Sequence, residues 1–357
     1  MSIKLAINGF GRIGRLAFRR AYEEGMEVVA INDLVDAKTL AYLLKYDTTH
    51  RTWHADEISA DDHNIIFQGR KIPVLGQKDP HELHWGEFGV DVVLECTGRL
   101  KSHEDGDVHL HNGAKGVIIS APSSSKDIPT YVFGVNTDKL TKDQTIISGA
   151  SCTTNCLAPG VRVISAASCT TNCLAPVMKV LNEKFGVQGG VMTTVHAYTN
   201  DQRILDLAGN NLRRGRAAAA NIVPTTTGAA KAIGKVIPEL NGALNGFAIR
   251  VPVTDGSLCD VTVTLKKKVT VEEINAAMKE AAEGELKGVL GYTEDEIVSS
   301  DILGNTFGSI FDATLTMIVE DPTGAQHVKV VAWYDNEMSF TSQYLRLAKL
   351  YGEILNK

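Results

Sequence analysis

A basic excess is missing from this chain: over 357 residues, 36 lysines and arginines face 42 aspartates and glutamates, a formal charge of −6. That balance argues against a dedicated nucleic-acid site, which needs clustered positive charge to neutralise phosphates. Long apolar runs are missing too, and none approaches the roughly 20 residues of a membrane helix. The opening MSIKLAINGF has no charged region followed by a long apolar core, so no secretory signal is expected. Cysteine is scarce. Of the six, Cys152, Cys156, Cys169 and Cys173 crowd into one stretch, which is not how a disulfide framework is spaced. The remainder, 44% hydrophobic and 22% charged, is ordinary globular composition, and this length usually makes two domains. A cytoplasmic α/β protein with no membrane segment is expected.

What the chain does have is a repetition. SCTTNCLAP stands at 151–159 and again at 168–176, an offset of 17 residues. With its flanks, the match runs from 147–159 onto 164–176, and Gly149 opposite Ala166 is the one mismatch. Each copy is an apolar run, then Ser-Cys-Thr-Thr, then residues able to enter a helix. That order sets a thiol at a helix N-terminus, where free N–H groups and the helix dipole favour thiolate. The spacing Cys152-x3-Cys156-x12-Cys169-x3-Cys173 also resembles a four-cysteine zinc site. A copied block reproduces its own cysteine spacing, however, so no metal is expected.

The N-terminal half reads as a dinucleotide platform. Ile3–Asn8 is a short apolar strand running into Gly9-Phe10-Gly11-Arg12-Ile13-Gly14, after which Leu16, Ala17 and Ala21 recur at helical spacing. G-x-G-x-x-G between strand and helix lets a pyrophosphate approach the backbone and sit on the helix N-terminus. A second strand, Glu27–Ile31, ends at Asn32-Asp33, about 20 residues past the glycines as the fingerprint requires. Asp33 would accept from both ribose hydroxyls and repel a 2′-phosphate, which favours NAD over NADP. Further strands are expected at Val90–Cys96, Val117–Ala121, Tyr131–Gly134 and Thr145–Ser148, several ending in small or polar residues.

Beyond the repeat the period changes. Leu174, Val177, Met178, Leu181 and Phe185 mark an amphipathic helix continuing from the second copy. Long, often alternating strands follow at Val191–His196, Phe247–Val253, Asp260–Leu265, Thr314–Val319 and Val328–Trp333, with few helices between them. A mostly antiparallel sheet with helices on one side is expected. Thr270 and Glu273 predict a capping box for a helix over 271–282. His196 ends its strand, and a histidine there near a helix-capped cysteine suits a thiolate–imidazolium pair. The polar stretch 199–220 carries Arg203, Arg213, Arg214 and Arg216; Thr225-Thr226-Thr227-Gly228 and Arg250 follow. Arginine forks, threonine hydroxyls and a glycine N–H fit phosphate oxygens.

Taken together, INGFGRIGR, ASCTTNCLAP, HAYTNDQ, LRRGRAAA, TTTGAAKA, RVP and WYDNEMSF make the chain similar to the phosphorylating glyceraldehyde-3-phosphate dehydrogenase family over nearly its whole length. The resemblance implies a Rossmann-type NAD domain at 1–150, completed by a returning helix at 336–357, and an α+β catalytic domain at 151–335. It implies a homotetramer in which 199–220 lines a neighbour's cofactor site. It also implies glyceraldehyde 3-phosphate and inorganic phosphate as reactants, converted through a cysteine hemithioacetal and thioester with His196 as base. Arg12 and Ile13 would then lie against the NAD pyrophosphate, Asp33 on its ribose, and Ser120 and Asn336 beside the nicotinamide. Thr199 and Arg250 would hold the C3 phosphate. Ser168, Thr170, Arg214, Thr227 and Gly228 would lie near the attacking phosphate and substrate.

The doubled segment 147–176 departs from that family, whose members carry one SCTTNCLAP block; removing 17 residues would leave 340. Either Cys169 or Cys152 then takes the catalytic position. Cys169 leads without interruption into the amphipathic helix, whereas a helix after Cys152 meets Pro159-Gly160. Cys169 also stands 27 residues before His196, the family spacing, against 44 for Cys152. A charge at Arg162, in a strand that is normally buried, counts against this threading. Two other outcomes are a related dehydrogenase acting on erythrose 4-phosphate and an NAD-binding scaffold that has lost catalysis.

Overall fold

The computed structural model describes residues 2–125, 128–140, 163–208 and 211–357. The first copy of the repeat, with Cys152 and Cys156, and the strand expected at Thr145–Ser148 lie outside them. The chain divides into two compact units. One holds Met1–Tyr131, Thr137–Ala167 and Tyr344–Lys357; the other holds Val132–Asn136 and Ser168–Gln343.

The first unit is built on a parallel sheet. Strand β1 (Lys4–Asn8) leads into helix α1 (Arg12–Glu23), followed by β2 (Glu27–Asn32) and α2 (Ala37–Lys45). A small antiparallel sheet, β3 (Ile58–Ala60), β4 (Asn64–Phe67) and β5 (Arg70–Pro73), comes next and had no clear signal in the sequence. Then follow β6 (Val92–Glu95), α3 (His103–His111), β7 (Gly116–Ile119) and β8 (Val163–Ser165). The five parallel strands lie in the order β2-β1-β6-β7-β8. Their near-continuous apolar sequences are the mark of strands covered on both faces, and β6 and β7 are buried at every position. Ala6, Trp85, Val93, Val117, Ile119 and Val163 share one core cluster.

Tyr131–Gly134, expected as a strand, is a turn. The Asn136 side chain accepts from the Val132 N–H, and the N–H groups of Val135 and Asn136 both turn back to the Val132 carbonyl. Those local bonds take the donors and acceptors a ladder would need; Thr130 keeps a single bridge to Ser165.

The second unit opens with α4 (Cys169–Phe185), then β9 (Val187–Ala197), β10 (Val223–Thr226), α5 (Ala229–Val236), β11 (Leu244–Val251), β12 (Ser257–Leu265) and α6 (Val271–Glu283). It continues through β13 (Leu290–Thr293), β14 (Ser309–Glu320) and β15 (Gln326–Tyr334) into α7 (Met338–Leu355). From Tyr344 onward α7 belongs to the first unit, where the Tyr344 hydroxyl donates to the Ile118 carbonyl at 2.7 Å. The seven strands lie in the order β10-β11-β9-β12-β15-β14-β13. Only the β11–β9 and β13–β14 pairings are parallel; the other four are antiparallel. Alternation along β12 is complete: Ser257, Cys259, Val261, Val263 and Leu265 are buried, and the residues between them are half-buried. The expected capping box holds α6, with Thr270 Oγ1 accepting from the Glu273 N–H and Glu273 Oε2 accepting from the Thr270 N–H.

Candidate active site

The first site follows from how β1 ends. Gly9 has φ of +91°, and a Cβ there would lie 2.7 Å from the Thr97 amide nitrogen. A Cβ at Gly14 would lie 2.1 Å from the Gly9 carbonyl oxygen. Both positions therefore require glycine, one for its backbone angle and both for close approach. Asp33 fixes the turn from the neighbouring strand end: its Oδ2 accepts from the Phe10 N–H at 2.7 Å and its Oδ1 from the Val35 N–H at 3.1 Å.

Past these strand ends opens a cavity of about 320 Å³, lined by Asn8, Gly9, Gly11, Asn32, Asp33 and Thr97 among others. It sits at the carboxyl ends of parallel strands beside a helix N-terminus, the place where such sheets bind dinucleotides. A glycine cradle that no side chain could fill, and a carboxylate on its rim, fit an adenine dinucleotide. Arg12, Ile13 and Gly14 lie on the first turn of α1 and do not line this cavity; the Arg12 guanidinium pairs with Asp47. Ser120 follows the end of β7 and also lies off the cavity, its N–H donating to the Glu95 carbonyl at 3.0 Å. Asn336 belongs to the second unit, where its Oδ1 accepts from the Ser257 hydroxyl at 2.6 Å.

The second site gathers at the start of α4. Ser168 is its N-cap, accepting from the Thr171 N–H, which makes Cys169 the first helical residue. On β9 the alternation buries Met192, Thr194 and His196 on one face. The same inward-facing set reaches α4: Thr194 and Thr170 both hydrogen-bond the Tyr334 hydroxyl, at 2.8 and 3.0 Å. His196 thus meets the helix N-terminus, with Nε2 3.5 Å from Cys169 Sγ. Its Nδ1 lies 2.6 Å from the Ala197 carbonyl oxygen. The same Nδ1 lies 3.0 Å from Arg250 Nη1, which only donates; the carbonyl favours the tautomer with the proton on Nδ1 and Nε2 free to accept from sulfur, and the guanidinium favours the opposite one. Arg250 Nη1 donates to the same carbonyl and to Thr199 Oγ1, both at 3.1 Å.

The electrostatics correct one expectation. Burial pushes the Cys169 thiol above its ordinary value, with the Arg250 cation opposing. Burial also drives the His196 imidazole down to about 3, and Arg250 adds to that. Both shifts favour the neutral forms in the ligand-free pair. Either charge alone is expensive in this pocket; passing the proton from Sγ to Nε2 creates both together, so that each stabilises the other.

Arg214 joins this site through Asp201, which also accepts from the Thr199 hydroxyl. Arg214 bonds Thr225 Oγ1, Asp201 and the Thr226 carbonyl. Gly228 caps α5, and Thr227 Oγ1 accepts from the Ala229 N–H. Thr170 is buried and its hydroxyl turns inward to Tyr334. Asn8 and Asn32 were not singled out as site residues from sequence, although a polar residue closing an apolar strand was a visible signal; Thr97 was read as part of a strand end that a cofactor would cross.

Comparison with known proteins bears on both sites. Residues 3–103 match the NAD binding domain of glyceraldehyde 3-phosphate dehydrogenase, and residues 168–336 match that family's C-terminal domain. This chain belongs to the glyceraldehyde-3-phosphate dehydrogenase family. The glyceraldehyde-3-phosphate dehydrogenase of Clostridium pasteurianum is 54% identical, covering 98% of this chain and 99% of its own length. That of Geobacillus stearothermophilus is 53% identical with 98% of each chain covered. The Streptococcus pyogenes serotype M1 protein is 52% identical with 99% of each covered. The protein is accordingly an NAD-dependent dehydrogenase of this family, with a Rossmann-type cofactor domain and an α+β catalytic domain. The C-terminal-domain match begins at Ser168, the first residue of the second SCTTNCLAP copy. Among the described residues, no helix is long and apolar enough to cross a membrane.

Proposed function

We propose that the protein oxidises D-glyceraldehyde 3-phosphate to 1,3-bisphosphoglycerate, the glycolytic step that uses NAD and inorganic phosphate, with Cys169 as nucleophile and His196 as base. The observation that carries this is the 3.5 Å approach of Cys169 Sγ to His196 Nε2. Nε2 takes the thiol proton as Sγ bonds to the aldehyde carbon, and it returns that proton to the former carbonyl oxygen, giving a hemithioacetal. It then removes the hydroxyl proton as the C–O bond becomes a thioester carbonyl. Bound NAD supplies the acceptor for the hydride lost from that carbon. A phosphate oxygen then attacks the thioester, the C–S bond breaks, and Cys169 leaves as thiolate. Arg250 and Thr199 hold the C3 phosphate; Ser168, Thr170, Arg214, Thr227 and Gly228 flank the attacking phosphate. NAD binding is assigned to Gly9, Gly11 and Asp33, which line the cavity, and to Arg12, Ile13, Gly14, Ser120 and Asn336, which do not.

In the same reading the chain carries a tandem duplication whose second copy works and whose first is an added segment. Support comes from the second copy, 164–176, supplying the end of β8 and the start of α4, and from its uninterrupted path into the amphipathic helix. The proposed domain division is 1–150 with 336–357, and 151–335; the compact units change instead at Ala167–Ser168 and Gln343–Tyr344. A homotetramer is part of the proposal. Ile204 and Leu212, 85% and 89% exposed, and the exposed Val191, Phe247, Met317 and Val319 are apolar surface that a second copy would cover. The four described cysteines are all free thiols, which suits the cytoplasm.

The test is NADH formation from glyceraldehyde 3-phosphate and NAD, with and without phosphate, on the parent chain, Cys169→Ser and Cys152→Ser. Turnover that requires phosphate and is lost only in Cys169→Ser is expected. Loss in Cys152→Ser instead would overturn the assignment of the working copy.

A further inference from the structure

A carboxylate that the reaction above does not use is buried behind the cofactor crevice. Glu95 closes β6 at 1% exposure, and every hydrogen bond it receives comes from a donor. Its Oε2 accepts from Asn8 Nδ2 at 2.6 Å and lies 3.2 Å from His109 Nε2. Its Oε1 accepts from the Thr97 N–H at 2.8 Å and from the Thr97 hydroxyl.

The far side of this cluster is locked. The indole N–H of Trp85 reaches His109 Nδ1 at 3.0 Å, and an indole nitrogen only donates. Nδ1 of His109 must therefore accept, so Nε2 bears the ring's proton and donates to Glu95. Both rings are fully buried, at 0% exposure, and neither touches the cavity.

The near side runs out to the crevice wall. Asn8 Oδ1 accepts from Asn32 Nδ2 at 2.8 Å, and Asn32 in turn exchanges two bonds with the Gln77 backbone. Thr97 Oγ1, its proton committed to Glu95, accepts from the Arg99 N–H at 3.1 Å. Asn8, Asn32, Gln77, Thr97 and Arg99 all line the cavity, while Glu95 does not. The amide orientation of Asn8 and the proton direction of Thr97 trace back to one acceptor-only group, and Asn8 passes it on to Asn32, which the Gln77 backbone also holds.

We propose that Glu95 is a positioning residue for the dinucleotide: its buried carboxylate, oriented by the Trp85–His109 pair, fixes the two strand ends and the 97–100 turn that form the crevice. The inference rests on the cavity being the NAD site. A glutamine at this position has the same shape but presents an NH₂ to a ring of donors. Turned toward Oε2 it opposes Asn8 and His109; turned toward Oε1 it opposes the Thr97 N–H. In either orientation one donor in the crevice wall loses its acceptor, and a hydrogen bond to a charged group is worth enough to shift binding about tenfold.

The experiment measures NAD dissociation by titration calorimetry, and kcat and KM for both substrates, on the parent, Glu95→Gln and His109→Phe. His109→Phe removes one of the carboxylate's donors without approaching the cavity, and it carries the test if Glu95→Gln does not fold. Expected are a roughly tenfold weaker NAD dissociation constant in Glu95→Gln and a smaller weakening in His109→Phe. The kcat at saturating NAD and the KM for the aldehyde should stay within about twofold. Unchanged NAD affinity in the folded variants, with only a lower melting temperature, would reduce Glu95 to a core anchor and overturn the proposal. Failure of the parent itself to bind NAD, or binding that Gly9→Ala leaves intact, would instead remove the cavity assignment on which it rests.

Discussion

His196 faces the Cys169 thiol with one nitrogen because the other lies between the Ala197 carbonyl and the Arg250 guanidinium. Nε2 is the ring atom offered to Sγ, 3.5 Å away. Removing it leaves a thiol that burial, opposed by the Arg250 cation, still raises. A raised value keeps the thiol protonated across neutral pH, so thiolate appears only at higher pH. In His196→Gln, alkylation of Cys169 by iodoacetamide should therefore be slow at pH 7, with its midpoint displaced upward from the parent's; an unmoved midpoint would contradict the pairing. Turnover in the same variant should fall roughly 10²–10⁴-fold, the usual worth of a positioned base. Arg250 makes a second case. Its guanidinium bridges the Ala197 carbonyl and Thr199, and it disfavours the imidazolium at the same time. Arg250→Gln should raise the KM for glyceraldehyde 3-phosphate by more than tenfold while leaving NAD affinity alone, because its contacts lie in the second unit. The cysteine and histidine were both visible as candidates in the sequence. Their ionisation was not, because a helix N-terminus and a desolvated pocket pull a thiol in opposite directions and sequence shows only the first.

At the scale of elements, the β1–α1 turn and the β8–α4 junction do most to place chemistry. In the first, Gly14 packs so closely on the Gly9 carbonyl that any Cβ forces the helix away from the strand. Gly14→Ala should weaken NAD binding at least tenfold and lower stability by about 1–3 kcal/mol, the usual cost of overpacking. Calorimetric titration and thermal melting check the two effects separately. In the second junction, Ala167 takes φ of +60°, an unusual angle for a residue with a Cβ, just before the Ser168 cap. The turn was not legible beforehand, because an alanine carries no signal for a left-handed backbone. The strands of both sheets were legible because their periods differ, continuous apolar runs in one and alternation in the other. The turn at Tyr131–Gly134 was misread as a strand for the same reason. Its apolar residues are buried, but the Asn136 side chain takes the backbone donor.

For the whole molecule the doubled segment is the outstanding feature. If the first copy is an added segment, deleting residues 150–166 restores a single ASCTTNCLAP leading into α4. That shortened chain should turn over at least as fast as the parent and melt no lower; loss of activity would mean that the first copy is in use. The exposed apolar residues of β9 and β11 bear on assembly. Val191 and Phe247 share a face on adjacent strands, and a double change to glutamate should reduce the mass measured by light scattering below that of a tetramer. Family, cofactor and the two-part architecture were determined by sequence alone, because glycine spacing, strand-end acids and the nucleophile motif are local patterns with local physical causes. Tertiary structure decided what depends on residues far apart in the chain meeting in a dry place. It brought Nε2 of His196 to Cys169, turned Thr170 inward to Tyr334, and gathered Asn8, Thr97 and His109 around Glu95. Those contacts span up to 164 positions of sequence, and the ionisation and proton directions they set exist only once water has been excluded.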